Sequence, residues 1–495
     1  MANRRHATVR PPRSMEKLRA MLQPQSVAVM GVSEKLNPGH VILNNLLREQ
    51  FPRERVYVVK PNSTTLEGCR CVPDVASLPE RVDLLVLSVD AAQVPGIVAD
   101  VAKYERAQGI IAIPGGLGEK AGSEALAQAI EITLTQSRST AWGGPVLNGP
   151  NCLGIRSRPG RYDTLFIPAY KLPLPSHPET PLALISQSGA FAITTLSKLE
   201  GVSPRYLISM GNQLDLTVGD YLTCLAEDTL TKVFACYVEG FVPRDFEPWL
   251  TSAHAIIASG RTVVLYLAGR TAAGARAAKS HTNSVPKSRT QILAKARAAG
   301  VLVAETLADF EDLCRLAGAL KGERPKIKQI AGISNAGFEC VAISDSLAGL
   351  ELATFGTGTR EKLAALLAKS RIDAIVGVQN PLDLTPIAND AAFAEAVQIC
   401  LGDDAVDAAV VGLVPLTGML TTLLPAPHHP EDLARPEAIA MRLGHLARGT
   451  TKPIVVAVDS GTAYDGLASK LQEQGLFVTR TVDQATQTLA RFSTR

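Results

Sequence analysis

The sequence predicts an α/β chain of three consecutive doubly wound domains. Three observations lead there. Short Val- and Ile-rich runs are apolar on both faces, Ala/Leu/Lys/Glu stretches of helical composition alternate with them, and one pattern of polar punctuation recurs in two blocks. Strands covered by helices on both sides read as unbroken apolar runs. Repetition of strand, loop, helix and strand is the mark of a wound parallel sheet.

In chain order the runs are Ser26–Val32, Arg55–Lys60, Val82–Val89, Gly109–Gly116, Pro181–Ser186, Lys232–Gly240, Thr262–Gly269, Ile327–Ser334, Asp407–Pro415 and Pro453–Val458. They group into blocks at 18–166, 182–325 and 326–495. The proline-rich joint Ile167–Pro181 cannot pair in a sheet and reads as a linker. The charged stretch Lys321–Lys328 leads into the third block. Blocks two and three share a plan: Ser186-Gln187-Ser188-Gly189 then Asn212-Gln213-Leu214-Asp215-Leu216-Thr217 in one, Ser334-Asn335-Ala336-Gly337 then Asn380-Pro381-Leu382-Asp383-Leu384-Thr385 in the other. Matching signals in matching order indicate two copies of one module.

Composition excludes several classes. Of 495 residues, 46% are hydrophobic and 20% charged, an ordinary globular balance that argues against a disordered or fibrous chain. The formal charge is +3, and residues 1–19 carry six cations against Glu16 alone, so the body is near neutral and no nucleic-acid footprint is expected. Residues 1–17 read as a basic disordered tail, without the apolar core of a signal peptide. The eight cysteines form no CxxC pair and sit in apolar stretches, the pattern of reduced buried thiols in a cytoplasmic protein without a metal site. The uncharged run Ala408–His429 contains Pro415, Gly418 and Pro425 and reads as a strand entering a loop, not a membrane span.

Three segments carry chemistry. In Val27–Val41 a strand ends at Gly31, a small-residue loop follows, and a helix begins near Pro38 or Gly39. Such a turn offers backbone N–H groups to a phosphate. It lacks the GxGxxG spacing, and the second strand ends in Lys60-Pro61-Asn62 where an NAD enzyme wants an acid. Lys60 and Asn62 suit a phosphorylated ribose, which coenzyme A carries; a tight turn beside an exposed lysine is the plainer alternative. The second segment, Leu182–Phe191, delivers Ser186, Ser188 and Gly189 onto the start of a helix, either an anion cradle or a simple cap. In the third, Ala268–Ser288, His281 stands in a polar, small-residue loop flanked by cations. A loop histidine is idle by default. It becomes a nucleophile when a phosphate cradle and an orienting carboxylate join it, and Glu239, at a strand's end, is the carboxylate candidate.

Together these pieces resemble a known family. "LQPQSVAVMGVS", "VYVVKPN", "VDLLVLSV", "LNGPNCLGI", "ALISQSGAF", "GNQLDLTVGDYL", "YVEG", "AGRTAAGARAAKSHT" and "NPLDLTP" occur in the order found in the α subunit of ADP-forming (NDP-forming) acyl-CoA synthetases, relatives of succinyl-CoA synthetase. The resemblance implies a Rossmann-like CoA-binding domain followed by two flavodoxin-like ligase domains. It implies that Gly31, Ser33, Lys35, Lys60, Pro61, Asn62 and Asn151 line the CoA site. Ser186, Ser188 and Gly189 would face a phosphoryl group, His281 would carry it, and Glu239 would orient the imidazole. It further implies a small carboxylic acid or acyl-CoA as substrate, and an oligomer with a separate ATP-grasp β subunit bringing ATP/ADP and Mg. The chain departs from the family after His281, where Asn283, Pro286, Lys287 and Arg289 replace small residues, and in the "SNAGFEC" turn of block three. A CoA-binding scaffold or sensor without phosphotransfer, or an acyl- or carbamoyl-phosphate transferase of the same fold, are the alternative readings.

Overall fold

The computed structural model describes residues 13–119, 122–173, 178–199, 201–281 and 288–493, and the side chains of 277–281 lie outside that description. Three sheets are present. They fall into two compact units: the first spans 1–174, 179–198 and 203–307 and holds two sheets, and the second holds the third sheet within 308–495.

The chain enters through α1 (Met15–Leu22), started by Ser14, whose hydroxyl accepts from Lys17 N. The helix therefore begins inside the stretch expected to be a disordered tail; residues 1–12 lie outside the described residues. The first sheet contains β1 (Val27–Met30), β2 (Val56–Val59), β3 (Thr65–Leu66), β4 (Cys69–Val72), β5 (Val82–Leu87), β6 (Ala107–Ala112) and β7 (Val146–Asn148). Its order, β3-β4-β2-β1-β5-β6-β7, becomes 3-2-1-4-5-6 once the short antiparallel edge strand β3 is set aside. That is the dinucleotide-fold order, with its topological switch between β1 and β5. Helices α2 (Pro38–Arg48), α3 (Val94–Tyr104) and α4 (Glu124–Arg138) connect these strands.

The second sheet corrects the expected boundaries. β8 (Ile155–Ser157) and β9 (Tyr162–Asp163) fall within the expected first block of 18–166, yet β8 pairs antiparallel with β11 (Pro204–Ser209). The chain thus crosses between sheets before residue 166. The proline-rich joint also ends sooner than expected: β10 (Thr180–Ser186) includes Pro181, whose carbonyl accepts from Lys232 N at 2.8 Å. Proline keeps its acceptor, and a strand's first residues tolerate the missing donor. β12 (Val233–Val238), β13 (Thr262–Leu267) and β14 (Leu302–Val303) complete the sheet, with α5 (Gly189–Lys198), α6 (Val218–Leu225), α7 (Phe246–Ala258), α8 (Ala272–His281) and α9 (Arg289–Ala298). The first two sheets share one hydrophobic core, in which Leu18, Met21 and Ile42 meet Ile155, Tyr162, Ile185 and Tyr221.

The second unit opens with α10 (Leu307–Ala319), most of which it contains. It holds β15 (Gln329–Ser334), β16 (Glu351–Leu352), β17 (Leu382–Asp383), β18 (Ala408–Leu413), β19 (Ile454–Val458) and β20 (Phe477–Thr479), with α11 (Gly337–Asp345), α12 (Thr357–Lys369), α13 (Asp390–Leu401), α14 (Ile439–Gly449), α15 (Asp465–Glu473) and α16 (Val482–Phe492). The order β16-β15-β18-β19-β20 matches β11-β10-β12-β13-β14 position for position. Both are the flavodoxin-like 2-1-3-4-5 arrangement, so the repeated punctuation marks a repeated module. Ala408–His429 is strand β18 followed by a loop. Among the described residues no helix is long and apolar enough to cross a membrane. All eight cysteines are free and buried.

Candidate functional site

The loop after β1 is held shut by its own backbone. Gly31 adopts φ +92°, and a Cβ there would lie 1.9 Å from the Ser88 carbonyl at the end of β5, so only glycine fits at the switch point. Asn37 organises the rest. Its amide nitrogen donates to Gly31 O at 2.8 Å, while its oxygen caps α2 by accepting from His40 N at 2.9 Å. The Ser33 hydroxyl donates to Lys35 O, and His40 Nδ1 lies 2.7 Å from Ser33 O. Lys60 reaches across from β2 and donates to Val32 O at 3.3 Å. Lys35, Pro61 and Asn62 are exposed around this rim, with Asn62 at φ +59°. Gly31, Ser33, Lys35, Lys60, Pro61 and Asn62 therefore come together in one cluster. Asn151 stands after β7, three strands along the sheet from β1, at φ +55° after the cis Gly149–Pro150 bond, with its N–H on Pro114 O at 2.9 Å.

The second cradle forms where β10 meets α5. Ser186 is buried and its hydroxyl donates to Ser188 O at 2.6 Å; Ser188 Oγ accepts from Phe191 N at 3.3 Å in the first turn. Ser188 and Gly189 are partly exposed, so the helix's first N–H groups face an open edge. Gln187, which the sequence reading passed over, makes the key link. Its side-chain oxygen accepts from Glu239 N at 2.8 Å and Gly240 N at 3.2 Å, fixing the end of β12 beside the cradle. Tyr237 stacks on Phe191 with centroids 4.0 Å apart and on Tyr266 at 5.5 Å. Burial, then the nearby Glu239 carboxylate, raise the Tyr237 hydroxyl above its ordinary pKa, so it stays protonated and hydrogen-bonds Glu239.

The second cradle packs against the loop that follows β7 of the first domain. A Cβ on Gly189 would lie 2.7 Å from Leu153 Cβ, and Leu153 N donates to Ser209 Oγ at 2.9 Å. Gly211 N donates to Gln187 O at 3.1 Å, and Asn212 N to Pro150 O at 2.9 Å. Ser186, Ser188, Gly189, Glu239 and Asn151 thus gather around one seam. His281 ends α8, so the segment expected to be loop is helical up to that residue. Its imidazole lies outside the described side chains, as do residues 282–287, including the departures Asn283, Pro286 and Lys287. Asn37 had a readable signal, an Asn directly before Pro in a helix start. Gln187 had none, because its partners lie fifty residues on.

Comparison with known proteins agrees with this fold. Residues 25–157 match the model described as a CoA binding domain, and residues 179–317 match the succinyl-CoA ligase like flavodoxin domain. The α subunit of ADP-forming acetate–CoA ligase I from Pyrococcus furiosus is 28% identical over 93% of each chain. The chain belongs to the ADP-forming acyl-CoA synthetase family. Another member, ADP-forming acetate–CoA ligase I of Archaeoglobus fulgidus, is 31% identical across 81% of this chain, which spans only 55% of that relative's length. A dinucleotide-forming acetyl-coenzyme A synthetase 1 from Ca. Korarchaeum cryptofilum, solved with phosphate and ADP, superposes with a TM-score of 0.81 at 26% identity, covering 96% of both chains. Family membership accounts for the sheet orders of all three modules.

Proposed function

We propose that the chain is the CoA-binding, phosphohistidine-bearing subunit of an ADP-forming acid–CoA ligase that works with a separate ATP-grasp subunit. The observation that carries this reading is the seam: the phosphate-type cradle at Ser186–Gly189 packs on the strand-end loop of the CoA-type domain at Leu153. A phosphoryl group and a thioester can therefore be handled side by side.

The net reaction is acid plus CoA plus ATP to acyl-CoA, ADP and phosphate, and it is reversible. A carboxylate is a poor acceptor for a thiol, so the acid is first phosphorylated. The CoA sulfur then forms the C–S bond as the C–O bond to phosphate breaks. His281 carries the phosphoryl group between nucleotide and acid, its neutral imidazole being a good nucleophile toward phosphorus and an acceptable leaving group at pH 7. Glu239 orients the ring, and the α5 N-terminus with Ser186 and Ser188 offsets the phosphoryl charge in transit. Mg and nucleotide are brought by the partner. Two features on the CoA side support this reading: Gly31 and Gly39 let the loop backbone pack tightly on itself at the start of α2, and Lys60 and Lys35 put positive charge at its rim.

Incubation with γ-labelled ATP and the partner subunit should yield a base-stable, acid-labile phosphoprotein, and His281→Ala should abolish it. Labelling retained in that variant removes His281 from the mechanism. CoA binding without any phosphoprotein or thioester would favour the sensor alternative. Calorimetry should show CoA binding weakened about tenfold by Lys60→Ala, the scale of one charge-assisted hydrogen bond; unchanged affinity excludes that contact.

A further inference from the structure

The glycine-rich loop after β6, Pro114–Glu119, has no role in the scheme above, yet it holds a carboxylate. The Glu119 side chain turns back on its own loop and accepts from Gly116 N with Oε1 and from Leu117 N with Oε2, the latter at 2.9 Å. A third donor comes from the second module: Asn212 Nδ2 donates to Glu119 Oε2 at 2.9 Å. With Gly116 at φ +91°, the successive amides of Gly116 and Leu117 converge on this one carboxylate, an anion-binding nest, while Gly118 N donates away from it to Ser123 Oγ at 2.9 Å. Asn151 closes the side, with its Oδ1 3.1 Å from where a Gly115 Cβ would stand.

We infer that Gly116 N–H, Leu117 N–H and Asn212 Nδ2 form the seat for the carboxylate of the acid substrate, and that Glu119 fills this seat as an internal stand-in until the acid displaces it. The inference rests on the ligase reading for the identity of the acid as substrate. Three features carry it. The bound group is itself a carboxylate on a short aliphatic stem, so the seat's donors already match a small carboxylic acid in charge and acceptor geometry. The seat is built from both modules of the first unit, through Gly116 and Asn212. It is also one residue from the phosphate cradle's tether, since Gly211 N bonds to Gln187 O at 3.1 Å. An acid that must receive a phosphoryl group has to lie close to that cradle.

The stand-in competes with the acid as an intramolecular ligand, so removing it unmasks the seat. The probe is 13C-acetate with the full chain, read by its linewidth and by the thermal midpoint at chloride-matched ionic strength. Acetate should bind Glu119→Ala about tenfold more tightly than the unaltered chain, Glu119→Gln should fall between, and adding Asn212→Ala should cancel the gain. Equal acetate binding in the folded Glu119→Gln variant and the unaltered chain overturns the seat. With the partner present, KM for the acid should fall in Glu119→Gln while KM for CoA holds. An unchanged acid KM despite tighter acetate binding also overturns it. If no protein forms thioester, the ligase reading fails, and the acetate titration still reports on the seat by itself.

Discussion

Asp215→Ala is expected to destabilise the first unit by about 3–5 kcal/mol, the scale for removing one partner of a buried charge network. Asp215 is 2% exposed and lies between Arg138 and Arg13, with Arg13 Nη2 also donating to the Asp215 carbonyl at 2.6 Å. One carboxylate oxygen accepts from Leu147 N at 2.9 Å in β7. The loop around it runs alongside β7, with Leu214 N on Gly149 O and Leu216 N on Leu147 O, both at 3.0 Å. Alanine would leave Arg138, itself 5% exposed at its side chain, without its counter-charge, and Leu147 N without an acceptor. Asp215→Asn keeps an acceptor for Leu147 N and should cost less. Both tryptophans, Trp142 and Trp249, belong to this unit, so urea unfolding followed by their fluorescence checks the result. An unchanged midpoint would show that the aspartate is not the clamp between the two sheets.

Glu339→Gln should stabilise the second unit above neutral pH and leave it nearly unchanged at acid pH. Glu339 is fully buried in the first turn of α11, with its Oε2 accepting from the Ser334 hydroxyl and its Oε1 without a partner. Burial is the main cause that pushes its carboxyl from 4.5 to about 7, with the Asp459 charge adding to it. A raised acid pKa means the folded state holds the proton more tightly than the unfolded chain. The stability it allows is complete below about pH 4.5 and is lost as pH climbs to about 7, in total about 3 kcal/mol. Glutamine mimics the neutral form and is flat across that window. Hydrogen exchange of the slowest amides in β15 and β18, compared between the two proteins at pH 5 and pH 8, reads the difference. Equal protection at pH 8 would show that folding does not raise the pKa of this carboxyl.

Much of this architecture is legible in the chain. Each of the ten apolar runs became a strand, because a segment apolar on both faces has no stable home except between two layers of helices. The cradle at Ser186–Gly189 and the loop at Gly31–Asn37 were also readable, since caps and tight turns depend on residues within one turn of each other. Other features were silent. Strand β11 opens with Pro204-Arg205-Tyr206, a polar start; it is buried because Arg205 pairs with Asp228 at 2.8 Å and also with Glu179. Glu339 reads as an ordinary first-turn acid favoured by the helix dipole. Only its placement against Ser334 and Gly412 makes it a buried one. Glu119 was equally mute, since nothing in "PGGLGEK" says that the carboxylate will curl back onto its own amides.

Local order determined what the sequence could say: element types, the module repeat and the residue kinds at each loop follow from propensities and periodicities acting over a few positions. Tertiary structure alone decided which groups meet. Asp215 finds its partners 68, 77 and 202 positions away, and Asn212 meets Glu119 across 93. Such pairings are set by how two sheets pack and by the cost of leaving a buried charge alone, neither of which any short window of residues can encode.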